Sequence, residues 1–310
     1  MKALFPPLWH TGARLGLCNP SSPADQPRLE RGVAWLQHRG FELVLAPSTQ
    51  TRAGIHAGSA EERARELNGF LRDPDIDGIL CVRGGTGTLG LLERIDYEAA
   101  RTHPKLLVGF SDPTALLLAL HARTGLVSIA GQMVVQLFDA TNEYTEDRWW
   151  DFVRGPWPIG PLPLPQGHEL EVLHPGTAEG TLFPVNFSLF NAIIGTPFLP
   201  DLTGAILLLE EIDERPESLD RMVDRLRLSG VAERLGGIVL GQFTHCLPRN
   251  DKLIEADGLR LVWNLASSLG IPALAHFPHG HEAICCSLPL GAPARLTTDP
   301  PGLEILAPAV

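Results

Sequence analysis

The run Leu106-Leu-Val-Gly-Phe-Ser111-Asp-Pro-Thr-Ala-Leu-Leu-Leu-Ala-Leu120 is compatible with few folds. Its apolar start, ending at Gly109, reads as a buried parallel strand. An amphipathic helix is expected from Pro113, with Asp112 as N-cap and the proline at the first helical position. Ser111 then lies at the tip of a tight strand-to-helix turn, above the carboxyl end of a sheet. A hydroxyl at that point is exposed, and the helix N-terminus beside it favours negative charge. Those are the conditions a serine nucleophile needs. The same residues would also serve as a plain Ser/Asp cap closing a βα turn.

The flanking sequence repeats the strand–helix alternation. Strands are expected at Arg14–Cys18, Phe41–Ala46, Gly78–Val82 and Leu106–Val108. Helices are expected at Arg28–His38, from the capping box Ser59-Ala-Glu-Glu62 to about Leu71, at Leu89–Ile95, and after Ser111. This rhythm predicts a parallel sheet with right-handed crossovers, whose ligands bind outside the carboxyl ends of the strands. With 310 residues the chain suits two domains. The stretch Gly155-Pro-Trp-Pro-Ile-Gly-Pro-Leu-Pro-Leu-Pro-Gln-Gly167 holds five prolines and is expected to lack regular structure. Residues 154–177 therefore read as a linker between a first domain, 1–153, and a second, 178–310. The second offers strands at Ala205–Leu209, Gly237–Leu240 and Ala294–Thr297, and helices at Ser218–Leu228 and Asp257–Leu269.

Composition excludes several function classes. A net charge of -11 argues against nucleic acid or an anionic membrane as partner. Cys18, Cys81, Cys246, Cys285 and Cys286 form no CxxC pair and mostly lie in apolar runs, the pattern of buried thiols in a reducing compartment. The start Met-Lys-Ala-Leu-Phe-Pro-Pro-Leu-Trp-His is broken by proline and too short for a signal peptide. No run approaches the roughly 20 apolar residues of a membrane span. A cytoplasmic protein is expected.

Three more segments could carry chemistry. Arg83-Gly-Gly-Thr-Gly87 follows a strand, where glycines let backbone N–H groups approach a ligand. It matches neither G-x-G-x-x-G nor a P-loop, which argues against a dinucleotide-dependent dehydrogenase. A plain tight turn is the alternative. Leu209-Glu210-Glu211 ends an apolar strand, so only one of the two carboxylates can face a given cleft, and a solvated strand end is the alternative. His279-Gly-His281-Glu282 lies in a loop and lacks metal-ligand spacing, leaving a hydrogen-bonded loop histidine as the alternative. A serine at an elbow, a glutamate at a strand end and a histidine in a loop supply a nucleophile, an orienting acid and a base. The elbow departs from G-x-S-x-G at Pro113.

Nearly end to end, the chain resembles the LD-carboxypeptidases, a serine peptidase family that includes muramoyltetrapeptide carboxypeptidase and the microcin-immunity peptidases. The resemblance rests on Arg83-Gly-Gly-x-Gly87, Gly109-Phe-Ser-Asp-x-Thr114, Ala178-Glu-Gly-Thr-Leu182, Asn186, Gly195-Thr-Pro197, Leu209-Glu210, Asp220-Arg-Met222, Gly280-His281-Glu282 and Leu288-Pro-Leu-Gly291. It implies an α/β fold: a Rossmann-like parallel-sheet N-terminal domain carrying the nucleophile, and a smaller strand-rich α/β C-terminal domain carrying the rest, with the active site between them. By motif, Ser111 is implied as nucleophile, Glu210 (rather than Glu211) as orienting acid and His281 as base, with His279 secondary. The backbone N–H groups of Asp112 and Gly85 (favoured over Gly84) are implied as oxyanion donors. Arg83 is a candidate partner for a substrate carboxylate, the alternative being that it braces the glycine turn. The implied activity is release of the terminal D-alanine from a murein tetrapeptide in the cytoplasm, by a homodimer, with no metal or organic cofactor.

Two departures bear on specificity. Thr86 replaces the family's tyrosine, and Pro184-Val185-Asn186 replaces Gly-Gly-Asn. A microcin-immunity-type peptidase acting on peptidyl or aminoacyl adenylate analogues, and a catalytically idle wall-peptide-binding protein, are the alternatives.

Overall fold

The computed structural model describes residues 2–137, 142–154, 157, 160–246 and 257–306. The chain forms two compact units. The first comprises Met1–Trp157, Pro197–Pro200 and Ser287–Gly291; the second comprises Pro158–Thr196, Asp201–Cys286 and Ala292–Val310.

The first unit contributes β1 (Arg14–Cys18), α1 (Gln26–His38), β2 (Glu42–Leu45), α2 (Ala60–Arg72), β3 (Gly78–Cys81), α3 (Tyr97–Thr102), β4 (Leu106–Gly109), α4 (Thr114–Thr124), β5 (Ser128–Ala130), α5 (Val134–Leu137) and α6 (Glu143–Val153). The second continues with β6 (Gly160–Pro161), β7 (Glu171–His174), β8 (Thr177–Asn186), α7 (Phe187–Ile193), β9 (Ile206–Ile212), α8 (Pro216–Leu228), β10 (Gly237–Thr244), α9 (Asp257–Ser268) and β11 (Ala273–Ala275). Then β12 (Leu288–Leu290) returns to the first unit, while β13 (Pro293–Thr298) and β14 (Pro301–Ile305) complete the second.

The first sheet runs β12-β5-β4-β3-β1-β2. Its five strands from β2 to β5 are parallel and β12 is an antiparallel edge. Every residue of β3 and β4 is buried, which is why these strands read as unbroken apolar runs. The strand order reverses direction at β1, which lies between β2 and β3. Loops leaving the carboxyl ends of β1, β3 and β4 therefore gather at the crevice where such sheets hold ligands. The α4 helix departs from the amphipathic expectation. Residues Thr114–His121 and Thr124 are all buried, so it is a core helix with apolar side chains on every face.

The second sheet runs β6-β14-β13-β8-β9-β10-β11-β7. Its centre, β8-β9-β10-β11, is parallel, and the strands flanking it are antiparallel. The ten-residue β8 pairs with β13 through Thr177–Thr181 and with β9 through Leu182–Asn186. Pro184 thus lies past the end of the β13 pairing, where its missing N–H costs no ladder bond on that side. Residues 154–177 are not without regular structure as expected. They carry β6 on β14 and β7 on β11, both at sheet edges, where proline is tolerated. Among the described residues no helix is long and apolar enough to cross a membrane.

Candidate active site

Ser111 follows β4 by two residues and has a φ of 65°. A left-handed backbone at a non-glycine residue costs on the order of 1 kcal/mol or more, and such strain collects where geometry matters. The turn is closed by the Thr114 N–H, which donates to the Ser111 carbonyl at 2.8 Å. Two glycines make room for it. A Cβ at Gly84 would lie 2.9 Å from the Ser111 Cβ, and one at Gly109 would lie 2.8 Å from the Pro113 Cβ. Ser111 itself is half-buried.

Asp112 does not cap α4. Pro113 occupies the N-cap position and the helix begins at Thr114. The Asp112 carboxylate is buried and turned the other way: Oδ2 accepts from Ser21 Oγ at 2.6 Å, from the Thr88 backbone N–H at 3.0 Å and from the Thr88 hydroxyl. Ser21 follows β1 and Thr88 follows β3, so one carboxylate ties together the three loops at the crevice. Arg63, also buried, donates to the carbonyls of Gly58 and Pro20. Burial lowers the pKa of its guanidinium, and the Asp112 charge works against that shift.

The glycine turn after β3 is braced from both sides. Arg83 donates through Nε to Gly84 O at 3.0 Å and through Nη1 to Pro23 O at 3.1 Å. Ser22 Oγ accepts from the Thr86 N–H at 3.1 Å. Gly85 is exposed, with a φ of 117° that suits glycine alone, and the Arg83 Nη2 lies 3.6 Å from where its Cβ would be. The bracing role weighed for Arg83 is thus present in the structure, and Nη2 takes part in neither of these two bonds.

In the second unit the expected acid and base meet. Glu210 lies near the end of β9 with no exposed surface, and His281 Nδ1–H donates to its Oε2 at 2.7 Å. A carboxylate can only accept here, so the proton sits on Nδ1 and Nε2 is left as the basic nitrogen. Glu210 Oε1 is buried with no hydrogen-bond partner among the described residues, so the His281 bond is its main compensation.

The neighbours of this pair divide as strand alternation predicts. Glu211 points away from His281 and accepts from Asn186 Nδ2 at 2.9 Å, the Ser188 N–H at 2.7 Å and the Ile212 N–H at 2.9 Å. Burial pushes its carboxyl up to about 7, with the Glu210 charge adding to the rise and the three donors opposing it. Asn186 also caps α7, accepting from the Leu189 N–H at 3.2 Å. His279 is fully buried and donates from Nδ1 to Cys286 O at 2.7 Å; burial depresses its pKa and favours the neutral ring. That bond braces the loop.

Several supporting residues carry no sequence signature. Ser21, Ser22 and Thr88 are small polar residues in loops, legible only as lying at carboxyl ends of strands. Among the described residues no group of three His, Cys, Asp or Glu side chains is arranged to hold a metal ion.

Residues 15–131 match the LD-carboxypeptidase N-terminal domain and residues 179–296 match the LD-carboxypeptidase C-terminal domain. A probable murein peptide carboxypeptidase of Bacillus subtilis (strain 168) is 32% identical over 322 residues, covering 96% of this chain and 94% of that protein. Among solved structures, the microcin C7 self immunity protein MccF in its wild-type apo state gives a TM-score of 0.89 at 25% identity, with 98% of each chain covered. Muramoyltetrapeptide carboxypeptidase from Oxalobacter formigenes gives 0.82 at 27% identity, covering 96% of this chain and 100% of that one. The chain belongs to the LD-carboxypeptidase family.

Proposed function

We propose that the protein is a serine L,D-carboxypeptidase that releases the terminal D-alanine from murein tetrapeptides, with Ser111, His281 and Glu210 as its triad. The observation that carries this reading is the buried Glu210–His281 hydrogen bond of 2.7 Å, in a chain whose serine sits on a strained βα turn. Neither feature is needed for a plain helix cap or a solvated strand end. The relatives named murein peptide carboxypeptidase supply the substrate class.

On this reading His281 Nε2 takes the Ser111 proton as Oγ attacks the scissile carbonyl. Glu210 fixes the imidazole tautomer and stabilises the imidazolium that forms. The N–H groups of Asp112 and Gly85 donate to the oxyanion, each contributing on the order of 3 kcal/mol. His281 then protonates the leaving D-amino acid, and water hydrolyses the acyl-enzyme. Arg83, beside Gly85, is the proposed partner of the substrate's free carboxylate through Nη2. The enzyme works in the cytoplasm as a homodimer without metal or organic cofactor.

The test is D-alanine release from purified tetrapeptide by wild type, Ser111→Ala, Glu210→Ala and His281→Ala. Wild type is expected to release D-alanine and all three variants to lose at least a thousandfold in kcat, the scale seen when triad members are removed. Release that persists in Ser111→Ala rules the reading out. The TM-score of 0.89 with MccF motivates a second reading, hydrolysis of aminoacyl or peptidyl adenylate analogues. A wild type silent on tetrapeptide but active on aspartyl sulfamoyl adenosine would decide for it.

A further inference from the structure

We propose that Gln242 positions His281, its side-chain carboxamide gripping the histidine loop as a neighbouring strand would. This inference rests on the reading of His281 as the base.

In the β9–β10 ladder Leu240 pairs with Leu209 and Phe243 with Glu211. Gly241 and Gln242 together therefore oppose the single residue Glu210, which is a β-bulge. Bulges re-aim side chains, and this one sits opposite the carboxylate that holds His281. The bulge needs its glycine, because a Cβ at Gly241 would run into the His279 carbonyl.

From the bulge Gln242 makes three hydrogen bonds that span the loop. Its backbone N–H donates to His279 O at 2.9 Å. Its Oε1 accepts from the Glu282 N–H at 3.0 Å. Its Nε2 donates to Ile284 O at 2.7 Å. Residues two apart on an extended chain present their polar groups along one edge, and a carboxamide carries one planar acceptor and one planar donor to meet them. The side chain acts here as a peptide group of a strand that is absent. The fit is close: Gly280 has a φ of 154°, and a Cβ there would lie 2.6 Å from the Gln242 Cβ.

The histidine loop is held at two levels, its base and its apex. Its base is closed by the Cys286 N–H donating to Pro278 O at 2.5 Å and by the His279–Cys286 bond. Glu282, Ala283 and Ile284 are exposed, so apolar burial does not hold them. Glu210 from β9 and Gln242 from β10 hold the segment on either side of the bulge. Releasing the Gln242 side chain would remove two of the hydrogen bonds that hold the apex of the loop carrying the imidazole.

The experiment compares wild type, Gln242→Met, Gln242→Glu and Ser111→Ala. It measures kcat and KM for D-alanine release, together with the NMR signal of the His281 Nδ1–H in 15N-histidine-labelled protein, identified by its loss in His281→Ala. Methionine keeps the side-chain length and removes both bonds. Glutamate keeps the acceptor for Glu282 N–H and removes the donor to Ile284 O. Gln242→Met is expected to lose at least tenfold in kcat with KM within twofold, and its His281 signal to broaden or vanish. Gln242→Glu should fall between it and wild type. A Gln242→Met enzyme with wild-type kcat, or one that loses kcat while the His281 signal stays sharp, overturns the proposal. Should Gln242→Met fail to fold, the near-isosteric Gln242→Glu carries the same two readouts. If Ser111→Ala retains full activity, the serine-peptidase reading falls, while the Nδ1–H signal still decides whether Gln242 fixes the histidine.

Discussion

Gly84 and Ser111 are in contact because position 84 has no side chain. An alanine there would bring its Cβ within 2.9 Å of the Ser111 Cβ and 3.1 Å of Oγ. Ser111 is already in the left-handed region and has little freedom to yield. Gly84→Ala is expected to cost about 1–3 kcal/mol of stability, as overpacking does. It should also cut kcat at least tenfold, checked by urea denaturation alongside D-alanine release. Glu211 gives a prediction that pH can read. Its folded carboxyl titrates at about 7 and the ordinary value is 4.5, so between those values the folded state binds more protons than the unfolded. Stability from this group is whole below about 4.5, declines as pH rises to about 7, and is flat above. The urea midpoint of wild type should therefore fall more steeply from pH 5 to 7 than that of Glu211→Gln; parallel slopes would refute the assignment. Ser111, Glu210 and His281 stand out in the sequence because each lies in a short motif of a recognisable family, and the fold brings Glu210 and His281 within 2.7 Å across 71 residues of chain. Local pattern makes Asp112 a cap, whereas the partners of its carboxylate, Ser21 and Thr88, lie 91 and 24 residues away. Local pattern cannot reach that far, and Gln242 was invisible for the same reason, since its partners lie 40 and 42 residues on.

Helix α2 and helix α4 mark the limits of pattern reading. The Ser59–Glu62 capping box is formed as expected, with the Glu62 N–H donating to Ser59 Oγ at 3.2 Å and the Ser59 N–H to Glu62 Oε2 at 2.8 Å. Both partners are three residues apart, so the signal is local and reliable. The amphipathic α4 failed because the helix's surroundings, not its own period, decide how many faces are covered. Leu117 illustrates the consequence. It is fully buried, and its Cδ2 lies 3.7 Å from where a Gly109 Cβ would be, beneath the serine turn. Leu117→Ala is expected to cost about 2–5 kcal/mol, through lost transfer energy plus the cavity left behind. The denaturant slope m should not change, since the surface exposed on unfolding is nearly the same. A loss under 1 kcal/mol would mean that α4 is not the packed floor of the turn. The edge strands β6 and β7 escape the sequence pattern because β6 is two residues with a proline and β7 only four residues beyond the proline run, and no local rule separates an edge from a linker.

Chain position and unit membership differ most at β12. Leu288, Pro289 and Leu290 pair with Ala130, Ile129 and Ser128 of β5, although they follow the whole of the second sheet's parallel core in sequence. A division into 1–153 and 178–310 assigns this strand to the second domain, whereas its contacts put it in the first unit. All three β5 residues are buried, and Gly131 packs so closely on Ser287 that a Cβ there would lie 2.8 Å from the serine Cβ. Without β12 the apolar β5 would become an uncovered sheet edge, a template for pairing with other chains. A fragment of residues 1–157 is therefore expected to aggregate or to melt broadly, although it contains β1 to β5 and the serine turn. The same fragment extended through a flexible linker by Ser287–Gly291 should regain a cooperative transition, followed by circular dichroism, and a higher soluble yield. If residues 1–157 alone melt as sharply as the extended form, β12 is dispensable and the boundary near residue 154 is a true folding boundary. If only the extended form does, the first unit depends for its stability on a segment encoded after most of the second. The two units could then be separated by cutting and rejoining the chain, never by one cut.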